Sequence, residues 1–467
     1  MNKKFYYIIF FIFIGQINVF AQLPLKAKLD AMLEEEILKT SEAGISVYDL
    51  TADSLLYSYQ DKKLYRPASV QKLLTGITAL SRFGKGHLFS TELYYTGEIR
   101  KDTLQGDLYV VGGFDSEFRD PNMNDLVQMI ADKGIKHVNG KILADVSMTD
   151  SIYWGPGWSW DDTPYYFQPY LSPLMFHKGY VEVTVSPGAK DLLAQVTCVP
   201  VSSYYSICNK TVSNNSAAGK LQITRNWLEN GNVITLTGNV EYEKTERVNM
   251  YTSKDFFMST FVERLINKGL SVPNYSYGEL PSDSTAHFLA KVSHPLHAVL
   301  LRAMKNSDNL SAEALLFHLA RLHKDRKHVS ESDGVTEINE MMKEMQIDPA
   351  QYNIVDGCGV SLYNYISPEL LVSFLRYAYS QKEVFKELYD TLPIAGIDGT
   401  LRNRMKEGNV FSNVRAKTGS VTGVSSLAGY AKAANGHLIA FSVINQNVMD
   451  QDKAKHFQDK ISQILCE

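Results

Sequence analysis

Between residues 73 and 84 the chain reads LLTGITALSRFG, with Leu73, Leu74, Ile77 and Leu80 three and four positions apart. That period predicts an amphipathic helix. Two alternating runs precede it, GISVYDL and SLLYSYQ, and read as a strand pair; before them LKAKLDAMLEEEILKT predicts a helix. From about 89 to 290 the texture changes. Short alternating stretches such as GDLYVVGG, GYVEVTVSP, LQITRNW and NVITLTGNV are separated by Gly, Asn and Asp turns, which predicts β-rich material with room for two subdomains. From about 291 the helical period returns in LHAVLLRAM, AEALLFHLARLHK and PELLVSFLRYAYS. The strands VSSLAGYAK and HLIAFSVIN then flank an Asn435-Gly436 turn, and KAKHFQDKISQIL closes the chain as a helix. The economical arrangement is one α+β unit built from residues 22–88 and 291–467, with residues 89–290 inserted after its first helices. Loop-closure entropy grows slowly with length, so such an insertion is tolerable.

Composition narrows the class. The 467 residues are 45% hydrophobic, enough for a large core, and carry a net charge of −4. The opening MNKKFYYIIFFIFIGQINVFAQ has a basic head, a short apolar run and small residues at Val19 and Ala21. This predicts a signal peptide over 1–21, cut near Ala21, export to a periplasmic space, and no stable membrane span afterwards. Losing Lys3 and Lys4 takes the charge from −4 to −6, which excludes a basic nucleic-acid footprint. No Cys stands at the cut, which disfavours a lipoprotein. Of the four cysteines, Cys198 and Cys208 are spaced to close a local hairpin in an oxidising compartment. No metal-ligand spacing emerges; His294 and His297, beside Pro295, read as a helix start.

Three short patterns carry chemistry. Ser69-Val70-Gln71-Lys72 sits where the strand pair gives way to a helix, and three-residue spacing puts Ser69 and Lys72 on one face. Ser307-Asp308-Asn309 lies between two helical runs, whereas Ser213-Asn214-Asn215 lies in a polar tract that reads as a turn. Lys417-Thr418-Gly419 precedes the C-terminal strands. A chain this long should hold about one or two Ser-x-x-Lys by chance, so that pattern alone is weak. All three together, in order and each at the end of a regular element, are a strong signal. A serine hydroxyl needs a base to accept its proton during attack. A lysine serves only when neutral, against an ordinary pKa of about 10.4. Burial and a second ammonium both favour the neutral form, and Lys417 is the candidate second cation.

With these residues in view the chain resembles the penicillin-recognising serine acyl-enzymes. It is most similar to their D-alanyl-D-alanine carboxypeptidase/endopeptidase branch, the class C low-molecular-mass penicillin-binding proteins. PASVQKLLTG, GDLYVVGG, GWSWDD, SDNLSAEALL, VDGCGVS, LPIAGIDGTLRNR and AKTGSVTGVSSLAGY carry the resemblance across nearly the whole chain. It implies an antiparallel sheet with helices, as in serine β-lactamases and DD-peptidases, and no cofactor or metal. It gives Ser69 the role of nucleophile, Lys72 that of base, and Ser307 that of proton relay to the leaving amine. Asn309, Lys417, Thr418 and Gly419 would hold the substrate, and the N–H groups of Ser69 and Ser420 would form an oxyanion hole. The implied partners are peptidoglycan stem peptides and β-lactams.

Asp162 and Phe167 match positions that in some members line a pocket for the substrate's diamino acid; alternatively Asp162 closes a turn and Phe167 packs in the core. Cys358 stands where Ser is usual, and Leu362 where Arg is common. Two rivals remain from sequence, a serine β-lactamase and a non-catalytic envelope binding protein. The long insertion, and the lack of a deacylating Glu segment between Asn309 and Lys417, weigh against the first. Intact chemical positions weigh against the second.

Overall fold

The computed structural model describes residues 24–322 and 327–467. The leader expected over 1–21 lies outside the described residues. Both ends of the chain meet in one sheet. Strand Glu42–Asp49 pairs antiparallel with Leu438–Val448 on one side and with Ser54–Tyr59 on the other. Gly423–Lys432 and then Arg415–Val421 extend the sheet, again antiparallel. Gly423–Lys432 is buried at nearly every position, on both faces, because helices cover both. On one face Leu25–Met32 and Gln451–Leu465 pack over Ile45, Val47, Phe441 and Val443. On the other, helix Lys72–Phe83 lies at the centre of a cluster formed with Leu296–Lys305, Asn309–Ala320, Glu331–Glu344 and Pro368–Ser380. Leu73, Leu74 and Ile77 are fully buried there, as their spacing requires.

Residues 88–295 hold four further sheets. The largest runs Tyr275–Tyr277, Ile142–Asp145, Leu108–Gly112, Leu88–Tyr95 and His287–Pro295 in spatial order. Its last two strands, at the two ends of the segment, are antiparallel neighbours, so the chain leaves and returns at one edge.

Several expectations need correction. The β-rich stretch also contains helices Asp120–Asp132 and Ser253–Asn267. The first buries Met123, Leu126, Val127 and Ile130, a helical period partly hidden among Asp and Asn. Helices Glu331–Glu344 and Lys382–Thr391 were also not anticipated. The N-terminal helix ends at Met32, and Glu36–Lys39 forms a separate 3₁₀ turn. Cys198 and Cys208 are both free thiols, because their strands belong to different sheets. The helix start read at His294 and His297 is present: Leu296–Lys305 begins directly after Pro295 and contains His297, 3.0 Å from Glu387. His294 lies at the end of the preceding strand, with Nδ1 2.7 Å from Asp115.

Packing is tight where strand Glu42–Asp49 meets Tyr65 and Pro368. A β-carbon at Gly44 would lie 2.5 Å from the Tyr65 ring and 2.8 Å from Pro368. Gly44→Ala should therefore cost about 1–3 kcal/mol, read as a lowered Tm against wild type. An unchanged Tm would show that Tyr65 yields without penalty.

Candidate active site

Ser69 lies in the single 3₁₀ turn Ala68–Gln71 that feeds helix Lys72–Phe83. Ala68 takes a left-handed φ of 51°, a costly conformation for a residue with a β-carbon. Neighbours hold it: the Ser426 hydroxyl donates to the Pro67 carbonyl at 2.7 Å. Strand Arg415–Val421 runs against the same turn. A β-carbon at Gly419 would lie 2.2 Å from Ser426 Oγ and 2.9 Å from both Ser69 N and Pro67 O. Only glycine lets the strand edge come this close.

Lys72 is fully buried. Its Nζ stands 2.8 Å from Ser69 Oγ, 2.8 Å from Asn309 Oδ1 and 2.7 Å from the Cys358 carbonyl. Asn309 Nδ2 donates to the Phe167 carbonyl at 2.7 Å, which fixes the amide orientation and leaves Oδ1 as a pure acceptor. A neutral amine has two N–H donors and one lone pair. The two pure acceptors take the donors, so the lone pair faces Ser69, the only one of the three partners with a proton to give. The contacts thus suit transfer from Ser69 Oγ to Lys72 Nζ.

Electrostatics favour the same state. Burial pulls the Lys72 pKa down, opposed by charge at Cys358, Asp356, Glu313 and Asp308. Lys417, also fully buried, contacts Ser307 Oγ at 2.8 Å and the Thr418 carbonyl at 2.7 Å. Burial first, and then repulsion from Lys72 whenever that amine is protonated, hold Lys417 well below the usual lysine range. The emphasis differs from the sequence expectation. Desolvation is what lowers Lys72, and Lys417 is the partner depressed by its neighbour, because it has fewer acceptors and no carboxylate beside it.

The structure therefore brings Ser69, Lys72, Ser307, Asn309, Lys417 and Gly419 together. Thr418 Oγ1 lies at the rim, 2.7 Å from Thr400 Oγ1, and Ser420 Oγ is 3.2 Å from Gln451. Phe167 joins the site through its carbonyl. The residue is 37% exposed and its ring is stacked on Tyr165, so the core alternative is corrected. Among the described residues no hydrogen bond joins the Asp162 carboxylate to the Lys72 cluster; burial and Asp161 raise its pKa, and its carbonyl closes a turn with Tyr165 N.

Sequence reasoning missed the support behind Lys72. Asp356 accepts from Gly359 N, Ser361 N, Asn364 Nδ2 and Trp158 Nε1, all at 2.7–3.0 Å. This carboxylate folds the loop that aims the Cys358 carbonyl at Lys72. Glu313 binds Gly357 N at 3.0 Å, and burial, then the Asp356 charge, push it up to about 8. It is a buried carboxyl in the stretch between Asn309 and Lys417, and it is 0% exposed, without access to water. The VDGCGVS motif marked the loop; the role of its carbonyl was invisible.

Comparison with known proteins bears on this geometry. The model of the D-Ala-D-Ala carboxypeptidase 3 (S13) family matches residues 25–467. The chain belongs to that family. Membership makes it a serine-type D-Ala-D-Ala carboxypeptidase. It is similar to the D-alanyl-D-alanine carboxypeptidase of Actinomadura sp. (strain R39), 29% identical over 90% of this chain and 80% of that protein. The carboxypeptidase DacB of Haemophilus influenzae is 25% identical over 91% of this chain and 90% of its own length. The crystal structure of penicillin binding protein 4 (dacB) from Haemophilus influenzae shares the fold, with a TM-score of 0.81 at 22% identity, over 93% of this chain and 97% of that one.

Two outcomes test the geometry. Gly419→Ala should displace the strand edge and slow acylation by penicillin about 10²-fold while the protein stays folded. Because the Lys72 pKa lies below its ordinary 10.5, the amine is neutral above the lowered value and gains a proton as pH falls through it. The acylation rate should therefore drop on an acidic limb, and a rate that rises on acidification would contradict a neutral Lys72 base.

Proposed function

We propose that the enzyme works through an acyl-enzyme on Ser69, trimming the terminal D-Ala from pentapeptide stems and also opening D-Ala-to-diamino-acid cross-links of peptidoglycan. The observation that carries this reading is the contact set of the buried Lys72 amine, with Ser69 Oγ 2.8 Å from its Nζ and the other two contacts being pure acceptors. Ser69 Oγ attacks the carbonyl carbon of the penultimate D-Ala while its proton passes to Lys72 Nζ. The C–N bond then breaks, and the departing amine takes the proton that Lys72 had accepted, relayed by the Ser307 hydroxyl beside Lys417. This leaves Lys72 neutral for the second step. Water hydrolyses the ester in a second step, with Lys72 again accepting the proton.

Asn309 holds the substrate amide and orients Lys72. Lys417 and Thr418 meet the terminal carboxylate, and Ser69 N–H with Ser420 N–H receives the developing oxyanion. Asp162 and Phe167 border the side-chain pocket. Residues 22–88 and 291–467 form the catalytic unit in this reading, and 89–290 its insertion. Export to the periplasm follows from the leader. β-Lactam binding follows from the same chemistry; a solved structure of the Haemophilus influenzae protein is complexed with a β-lactam.

Purified protein incubated with muropeptides, then analysed by mass spectrometry, tests both activities. Loss of one D-Ala supports carboxypeptidase action and release of cross-linked dimers supports endopeptidase action. No mass change would overturn the reading. Ser69→Ala should abolish covalent penicillin labelling, and a fully labelled variant would remove Ser69 from its role. Labelled penicillin should also stay bound after excess drug is removed; rapid release with many drug molecules hydrolysed would indicate a β-lactamase.

A further inference from the structure

The residue between Ser307 and Asn309 is the mostly buried Asp308, and its partner comes from far away in sequence. Lys178 Nζ lies 2.9 Å from Asp308 Oδ1, 2.8 Å from Glu117 Oε1 and 3.0 Å from Ser311 Oγ. Lys178 and Glu117 both belong to the segment between Lys72 and Ser307. Lys178 is 4% exposed, so its ammonium has exchanged water for these three oxygens. Asp308 Oδ1 also caps helix Asn309–Ala320, accepting from Ser311 N at 2.8 Å and from Ser311 Oγ at 2.6 Å. Burial alone would raise the Asp308 pKa; Lys178 and the Ser311 bonds outweigh it and hold the group at about 2.

Backbone conformation adds an independent observation. His177, Lys178 and Gly179 take consecutive left-handed φ values of 48°, 57° and 76°. Two of the three have a β-carbon, so the run is costly and has to be held by its surroundings. It delivers Lys178 to Asp308. Ser307, on the other side of the contact, is itself left-handed at φ 57°. Its hydroxyl meets Lys417, and Asn309 meets Lys72. Any slip of Asp308 therefore moves both of its neighbours against the two buried lysines.

We infer that Lys178 is a positioning residue for the reaction: through Asp308 it sets where Ser307 and Asn309 stand against Lys417 and Lys72. This rests on the acyl-enzyme reading above. The ion pair matters because removing one member leaves a buried carboxylate uncompensated, which is far costlier than losing a surface pair.

The test measures acylation by a fluorescent penicillin in wild type, in Lys178→Met and in the double variant Lys178→Met with Asp308→Asn. The double variant removes the Asp308 charge while keeping an amide oxygen to cap the helix, and Glu117 keeps its second cation, Arg302 Nε at 3.4 Å. Wild-type labelling is the control. If wild type is not acylated, the acyl-enzyme reading fails, whatever the variants do. With wild type labelled, both variants should acylate roughly 10- to 100-fold more slowly at saturating drug, the scale of a small misplacement. The dissociation constant of the noncovalent complex should move far less. The double variant should recover Tm without recovering the rate, a split that a purely structural role would not produce. A folded variant acylating at the wild-type rate overturns the inference. So does a rate restored together with Tm, and so does loss of fold in both variants, which would assign Lys178 to stability alone.

Discussion

A dry lysine with three oxygen partners is the constraint from which the rest of this active centre follows. Removing an ammonium from water costs several kcal/mol unless the site repays it. Burial lowers the Lys72 pKa, and contacts from three separate parts of the chain satisfy its amine. These are the Ser69 turn, the first residue of helix Asn309–Ala320, and the loop at Cys358. None of the three can move alone. If one retreats, the buried amine loses one of its three polar partners, so pKa and geometry are fixed by the same contacts.

Holding those partners accounts for features that would otherwise be oddities. Ala68 and Ser307 both sit in left-handed conformations, one beside the hydroxyl that Lys72 faces and the other at the hydroxyl that Lys417 contacts. Gly419 gives the strand edge its approach to Ser69. Asp356 spends its carboxylate on four N–H donors in order to present a backbone carbonyl. Strain and polar burial gather where function needs a fixed arrangement, while the aliphatic cluster around Leu73, Leu74 and Ile77 supplies the stability that tolerates them.

Sequence showed the outline well, for definite reasons. The helices around Lys72 and the C-terminal strands announce themselves by period, and Asn435-Gly436 by turn chemistry. The three motifs were readable because each is contiguous. Helix Asp120–Asp132 was lost because its apolar stripe is diluted by polar residues, and Glu331–Glu344 has the same mixed character. The free Cys198 and Cys208 show that spacing along a chain does not say which sheet a strand joins. Phe167 illustrates a harder limit. Its side chain drew notice, yet what reaches Asn309 is its carbonyl, a group every residue has and no motif can mark.

The placement of the long segment between Lys72 and Ser307 then takes on meaning. Its reach into the site comes at Trp158, Phe167 and Lys178, and these touch Asp356, Asn309 and Asp308 in turn. All three contacts fall on the groups that orient the lysines, and none of them falls on the Ser69 turn. The turn is secured instead by the sheet, through Ser426 and Gly419. The nucleophile and its base are thus held by different parts of the molecule. Chain entropy makes a long connection cheap to close, and here residues 88–295 supply hydrogen-bond partners to the groups around the buried lysines. These three contacts brace the groups that touch Lys72 and the residue beside Ser307, which in turn meets Lys417.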